Sequence, residues 1–268
     1  MTMPLFEDLP SCPGLPDPLL CLDGRRVRTA QEWSGLRVPE LRHLFQHFMY
    51  GYFPPAPEQI SSRVLFEDDS FLDGTASLKE VEIRYHPTAP PFRLLVGTPH
   101  ERPNQGAPVF VGPNFGGNHT ETDHPAVALP DGWVRSTIPG VVNNRATEEG
   151  RGKQKRFDFP RALRRGYAVA TFYYGDLDPD RNDFTDGIHP HFGTPAERGP
   201  HDWGAIAAWA YGVMRAVDYL VADPAIDSRK IAAVGHSRLG KTVLLAAAFD
   251  DRIGLVIPHQ AGMGGSAP

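Results

Sequence analysis

The chain has 268 residues, 41% of them hydrophobic and 10% aromatic, enough to bury one sizeable core. Its formal net charge is −5, with 27 basic and 32 acidic residues interspersed, which predicts no basic face for nucleic acid and no cationic patch for an anionic membrane. A neutral or mildly acidic small molecule or polysaccharide fits this balance better.

The opening, to about Arg28, is aperiodic and reads as a surface arm. Pro4, Pro10, Pro13, Pro16 and Pro18 interrupt residues 1–24, so no signal peptide is expected. No stretch is expected to approach the roughly 18 apolar residues of a membrane span. As written, the chain is expected to be soluble and cytoplasmic. Cys12 and Cys21 lie in this arm; they could bridge only with their Cα atoms within about 7 Å, and pairing is not expected. A helix is predicted next, with Pro39 in its first turn and Leu41, Leu44, Phe45, Phe48 and Met49 on one buried face. Residues 1–58 are taken as an arm and helix packed on the core, and 59–268 as the main body of what is a single domain overall. From Ile60 to Val111 short β-like runs follow, around 63–66, 78–85, 92–96 and 108–111.

Residues 113–160 read as loop, and 161–166 as a short helix. The unalternating apolar run Tyr167 to Tyr174 predicts a strand buried on both faces. A long polar loop, Gly175 to His201, reads as the rim of a site. Asp202 is expected to cap a helix whose stripe includes Trp209, Val213, Val217 and Leu220, with Trp203, Trp209 and Tyr219 as packing residues. A strand at 230–234, a glycine-flanked turn, a helix at about 238–249 and a strand at 254–257 complete an α/β pattern with a parallel sheet.

The turn Gly235-His236-Ser237-Arg238-Leu239-Gly240-Lys241-Thr242 fits two chemistries. It matches the G-x-x-x-x-G-K-[ST] phosphate loop, and it approximates the nucleophile elbow, where a serine sits on a sharp strand-to-helix turn. The phosphate reading needs a metal-associated aspartate after the next strand. That strand instead ends Pro258-His259-Gln260, and bulky His236, Arg238 and Leu239 occupy the loop. In the elbow reading Ser237 is the nucleophile, and Gly235 and Gly240 let the turn close. The second glycine then stands one place late, with Leu239 where G-x-S-x-G expects it, and a serine that merely caps a helix stays open.

The run from Gly235 to Lys241 resembles the G-x-S-R-x-G-K signature of bacterial-type glucuronoyl esterases, carbohydrate esterase family 15. Similar stretches include Asp23-Gly24, Tyr50-Gly51, Asn114-Phe115-Gly116-Gly117-Asn118-His119, the segment from Arg165 to Asp176, the helix from Trp203 to Leu220, and the segment from Pro258 to Gly265. The resemblance implies an α/β-hydrolase-type sheet flanked by helices, lacking its last strands. It also implies cleavage of (4-O-methyl-)glucuronic acid esters joining glucuronoxylan to lignin in plant cell walls. Ser237 would attack, the amide and guanidinium of Arg238 would hold the oxyanion, and Lys241 would bind uronate hydroxyls. Gln260 and His119 would be further substrate contacts. No cofactor or metal is implied: His189, His191 and His201 with Asp176, Asp178 and Asp180 match no familiar ligand signature. Family relatives are commonly exported. A sugar-ester deacetylase, or a carbohydrate-binding relative without turnover, would use the same residues.

A serine nucleophile needs a base and an orienting acid, which follow it in this fold. Asp250 and Asp251 lie a helix-length away, about 18 Å from Ser237. His236 projects away from its neighbour, His259 lacks an obvious acid, and Gln260 stands where many relatives carry glutamate. The expectation is a truncated chain with its acid and histidine beyond Pro268, weak or inactive as a hydrolase, with an unpaired sheet edge prone to association.

Overall fold

In the computed structural model, which describes residues 3, 5–9, 14–193 and 198–267, the first long element is a helical run. It comprises α1 (Ala30–Glu32), a π-helical turn (Trp33–Arg37), α2 (Val38–Phe45) and a second π turn (Gln46–Tyr50). The helix therefore starts before Pro39, at a capping box. The Thr29 hydroxyl accepts from Glu32 N–H at 3.1 Å, and the Glu32 carboxylate accepts from Thr29 N–H at 3.2 Å. Pro39 is tolerated inside because the preceding turn is wide: Val38 N–H donates to the Trp33 carbonyl, five residues back.

The predicted buried face of this helix is not buried. Phe45 is 49% and Met49 46% exposed. Leu41 and Phe45 instead line an apolar groove of about 370 Å³ with Leu244, Leu245 and Phe249. Polar contacts tie the run to the rest of the protein: Arg42 donates to the Ala248 carbonyl and to Asp251, and the Tyr50 hydroxyl to the Gly264 carbonyl. Cys12 lies outside the described residues, so its pairing with buried Cys21 is not described.

Three antiparallel strands come next: β1 (Ser61–Asp68), β2 (Ala76–Arg84) and β3 (Phe92–Pro99), with the short turn α3 (Phe71–Gly74) between the first two. After β4 (Ala107–Asn114) the long connection carries a small hairpin, β5 (Val141–Val142) with β6 (Arg145–Ala146), and α4 (Phe159–Leu163), capped by Asp158. The remainder alternates: β7 (Ala168–Tyr173), α5 (Ala205–Ala222), β8 (Ile226–His236), α6 (Arg238–Phe249) and β9 (Ile253–His259).

The main sheet has the order β1-β2-β3-β7-β4-β8-β9. β7 runs antiparallel to β3, and β7, β4, β8 and β9 are mutually parallel. β7 is buried at every position, which is why its apolar run shows no alternation. α5 and α6 cover one face. Ala76, Leu78, Phe159, Leu163 and Val169 form a second cluster on the other. β9 is the outer strand among the described residues, with Leu255 56% exposed.

α5 begins at Gly204 rather than at Asp202. The Asp202 carboxylate is engaged by Gly199 N–H, and residue 202 also bridges to Tyr52, so the chain enters the helix two residues later. Contrary to expectation, α5 has the length and composition of a membrane span. It is nevertheless mostly buried against the sheet, as the core helix of the fold. From β4 the chain crosses to β7 on one side and later to β8 on the other. Such a switch point opens a crevice beyond the carboxyl ends of the strands, where ligands bind in open α/β sheets.

Candidate active site

Ser237 stands at that crevice, between β8 and α6, with φ 56° and ψ −128°. A non-glycine residue in this region is strained, and such strain concentrates at functional turns. The turn is held from both sides. Ser237 N–H donates to the His259 carbonyl at 2.9 Å, and the Ser237 carbonyl accepts from Gly240 N–H at 2.8 Å and Lys241 N–H at 3.2 Å. Its hydroxyl makes no capping bond. The geometry is that of an elbow rather than of a serine spent on capping a helix.

The elbow also accounts for the late glycine. A Cβ on Gly235 would lie 2.1 Å from the Leu239 carbonyl oxygen, so the close crossing is between position 235 and the Leu239 backbone. The Leu239 side chain turns into the core and is fully buried. Gly240 faces the segment after β9, where a Cβ would come 3.0 Å from that of Ala261. The phosphate-loop reading loses its hydroxyl: Thr242 is buried and donates to the Arg238 carbonyl at 3.0 Å.

Arg238 opens α6, where unsatisfied amides and the helix dipole favour developing negative charge. Its guanidinium lies 5.8 Å from the Phe115 ring centroid and donates to Asp180 Oδ2. Phe115 is placed by the turn after β4. The Asn114 side-chain amide donates to Thr171 at 3.1 Å and to Asn118 at 2.9 Å, while its Oδ1 accepts from Gly117 N–H. Arg156 lies over the same ring at 5.4 Å. The site is thus electropositive, with one carboxylate in it. Lys241, one turn along α6, makes no ion pair among the described residues, and its stem lies beside Gly265 in the segment after β9.

A match to the fungal glucuronyl esterase family model covers residues 156–268. The chain is 40% identical over 264 residues to carbohydrate esterase MZ0003 of an unknown prokaryotic organism, covering 94% of this chain and 60% of that protein. The structure of a promiscuous CE15 esterase from a marine bacterial metagenome superposes with a TM-score of 0.84 at 38% identity, over 97% of this chain and 66% of that one. A glucuronoyl esterase from Solibacter usitatus gives 0.85 at 36% identity, with the same coverage of both chains. The chain belongs to the glucuronoyl esterase family. Its sheet is the α/β-hydrolase sheet of these esterases, and the chain spans about 60% of the length of the curated relative it matches.

The remaining sequence-predicted residues are scattered. Gln260 is exposed in a left-handed conformation, φ 50°, at the end of β9 beside the elbow. His119 is buried between Gly117 and Gly150, and burial together with Arg151 pushes its pKa down to about 4. It shapes the interior of the 113–160 loop, and no hydrogen bond links it to Ser237. His236 and His259 share a hydrogen bond between their Nδ1 atoms at 2.9 Å. Burial, then Arg156, lowers the His236 pKa.

The acidic and histidine residues of the 175–201 loop also separate. His189 sits 3.3 Å from Asp178 in the interior, His191 contacts Thr88 at 2.9 Å, and His201 stacks on His47 at 3.9 Å. No three of them gather as metal ligands among the described residues. Asp180 was weighed from sequence only as a metal ligand and Phe115 only as part of a family-like stretch, and neither they nor Tyr174 and Arg135 were placed at the elbow. They converge only because the sheet order brings the ends of β4, β7 and β8 together.

Proposed function

We propose that this chain carries the nucleophile and oxyanion arm of a serine hydrolase acting on esters of (4-O-methyl-)glucuronic acid. The observation that carries the reading is the strained elbow at Ser237, whose hydroxyl makes no capping bond and which is followed at once by Arg238 at the start of α6. Ser237 Oγ adds to the ester carbonyl carbon and its proton passes to a base. The carbonyl oxygen becomes an oxyanion, held by Arg238 N–H and guanidinium; removing one such donor typically costs about 10²–10³ in rate. Collapse expels the alcohol, which takes a proton, and water then releases the uronic acid from the acyl-serine. Lys241 and Gln260 bind uronate hydroxyls, and the family resemblance supports plant cell-wall glucuronoxylan as the source of the ester.

The base must come from a histidine held by a carboxylate. His236 and His259 are bonded to each other, and neither bonds a carboxylate among the described residues. That observation favours a second reading, uronate binding without turnover. Hydrolysis of benzyl glucuronate that is lost in Ser237→Ala establishes the esterase. Glucuronate binding that survives Ser237→Ala, with no ester cleaved, establishes the second reading instead. A preference for acetylated xylan over the uronate ester would move the substrate to a sugar-ester deacetylase.

A further inference from the structure

Asp180 lies in the loop after β7 and is not an element of the elbow, yet it is the carboxylate that touches the elbow's arginine. Its Oδ2 accepts from three donors: the Arg238 guanidinium, the Arg135 guanidinium at 3.3 Å and the Tyr174 hydroxyl at 2.9 Å. The side chain of Asp180 is 14% exposed and that of Arg238 34%. Tyr174 is itself fixed, with its ring 4.8 Å from Trp209 and 5.4 Å from Phe115.

We propose that Asp180 is a positioning residue for the oxyanion arm: it anchors one Nη of Arg238, leaving Nε and the other Nη to meet the developing oxyanion. The proposal rests on the assignment of Ser237 and Arg238 above. An arginine at the first position of a helix has many rotamers. A donor stabilises a transition state most when it needs no reorganisation as charge develops. A carboxylate fixed by Tyr174 and a second guanidinium supplies that order. It also compensates charge: Arg156 and Arg238 share the Phe115 ring, and Asp180 is the carboxylate that meets Arg238 there. Two guanidinium groups on one carboxylate still leave the cluster positive, so the oxyanion meets net positive charge.

An anchor of this kind acts on the transition state and not on ground-state binding. Asp180→Asn is therefore expected to lower kcat for benzyl glucuronate by about 10–100-fold, with KM within about threefold of wild type. Asp180→Glu keeps the charge but displaces the carboxylate by a methylene, and is expected to recover part of the loss at an unchanged melting temperature. A direct readout on the 268-residue chain is side-chain ¹⁵N NMR, with Arg238→Lys assigning the signals. The Arg238 Nη nitrogens should give separate resonances in wild type, through hindered rotation, and one averaged resonance in Asp180→Asn. Averaged Nη signals in wild type overturn the proposal. So does wild-type kcat in a folded Asp180→Asn or, should that variant not fold, in Asp180→Glu. Absence of turnover by wild type would instead sink the hydrolase reading, and the NMR comparison would still decide whether Asp180 holds Arg238.

Discussion

Replacing Ser237 by glycine should make the protein more stable while abolishing its chemistry. At φ 56° and ψ −128° the serine occupies a region essentially reserved for glycine, at a cost of about 1–3 kcal/mol. Its hydroxyl makes no capping bond, so deleting it leaves no acceptor or donor unpaired in the fold. Glycine relieves the strain but adds freedom to the unfolded chain, which offsets about 0.5–1 kcal/mol. Alanine keeps the Cβ and with it the strain. Ser237→Gly should therefore exceed Ser237→Ala by roughly 0.5–2 kcal/mol. For a chain of this size that is about 1–8 °C in Tm, at roughly 2–4 °C per kcal/mol. Urea unfolding followed by fluorescence measures it as a rise in midpoint at constant m. A Ser237→Gly midpoint at or below that of Ser237→Ala would show that the elbow is not strained and that the stated backbone geometry is wrong.

Three other outcomes are expected. Gly235→Ala places a Cβ 2.1 Å from the Leu239 carbonyl oxygen; the strand and helix cannot separate without losing the elbow, so a loss of more than about 3 kcal/mol is expected, and a fold of wild-type stability would contradict the packing. Burial raises the Asp176 pKa to about 7. Its contribution is therefore full below the unfolded value near 3.8 and is lost as pH rises through 7. Asp176→Asn should match wild type at pH 4 and exceed it at pH 8 by on the order of 1–2 kcal/mol, after allowance for its partial exposure. Equal stabilities at both pH values would remove the argument. His119, held neutral with a pKa of about 4, contributes stability that is lost as pH falls from the unfolded value of 6.5 through 4, up to about 3 kcal/mol. Its Cε1 proton should show no NMR titration above about pH 5, and a midpoint near 6.5 would refute its burial.

The parallel half of the sheet was readable because burial on both faces leaves an unbroken apolar run, as in β7, and because β7 and β8 each lead to a helix with the 3.6-residue apolar period. The strand ends were read short. β1 extends to Ser61 and Asp68, and β4 to Asn114, where polar side chains belong to the ladder or to the turn beyond it. The first helix was misread for two local reasons. Pro39 looked like a start because a proline in a helix interior is costly, and a π turn that relieves the cost leaves no mark in the sequence. The real start, Thr29 with Glu32, was a legible S/T-x-x-E signal masked by the proline.

The site divides along the same line. Ser237, Arg238 and Lys241 are local to one strand–turn–helix, so spacing alone brings them together. Asp180 stands 58 residues from Arg238, and Phe115 and Arg135 lie earlier still. Nothing in the polar loop after β7 distinguishes Asp180 from Asp176 or Asp178. What separates them is direction: Asp178 turns inward to His189, Asp176 lies near Arg93, and Asp180 alone of the three reaches the elbow. The glycine displaced to position 240 belongs to this arrangement. With Leu239 anchored in the core and Gly240 against Ala261, the first turn of α6 is clamped on both sides. Arg238, between Ser237 and that clamp, has a fixed Cα from which its long side chain must still be aimed. A rigid helix start and a flexible arginine together call for an external anchor, and the carboxylate of Asp180 is the group placed to provide it.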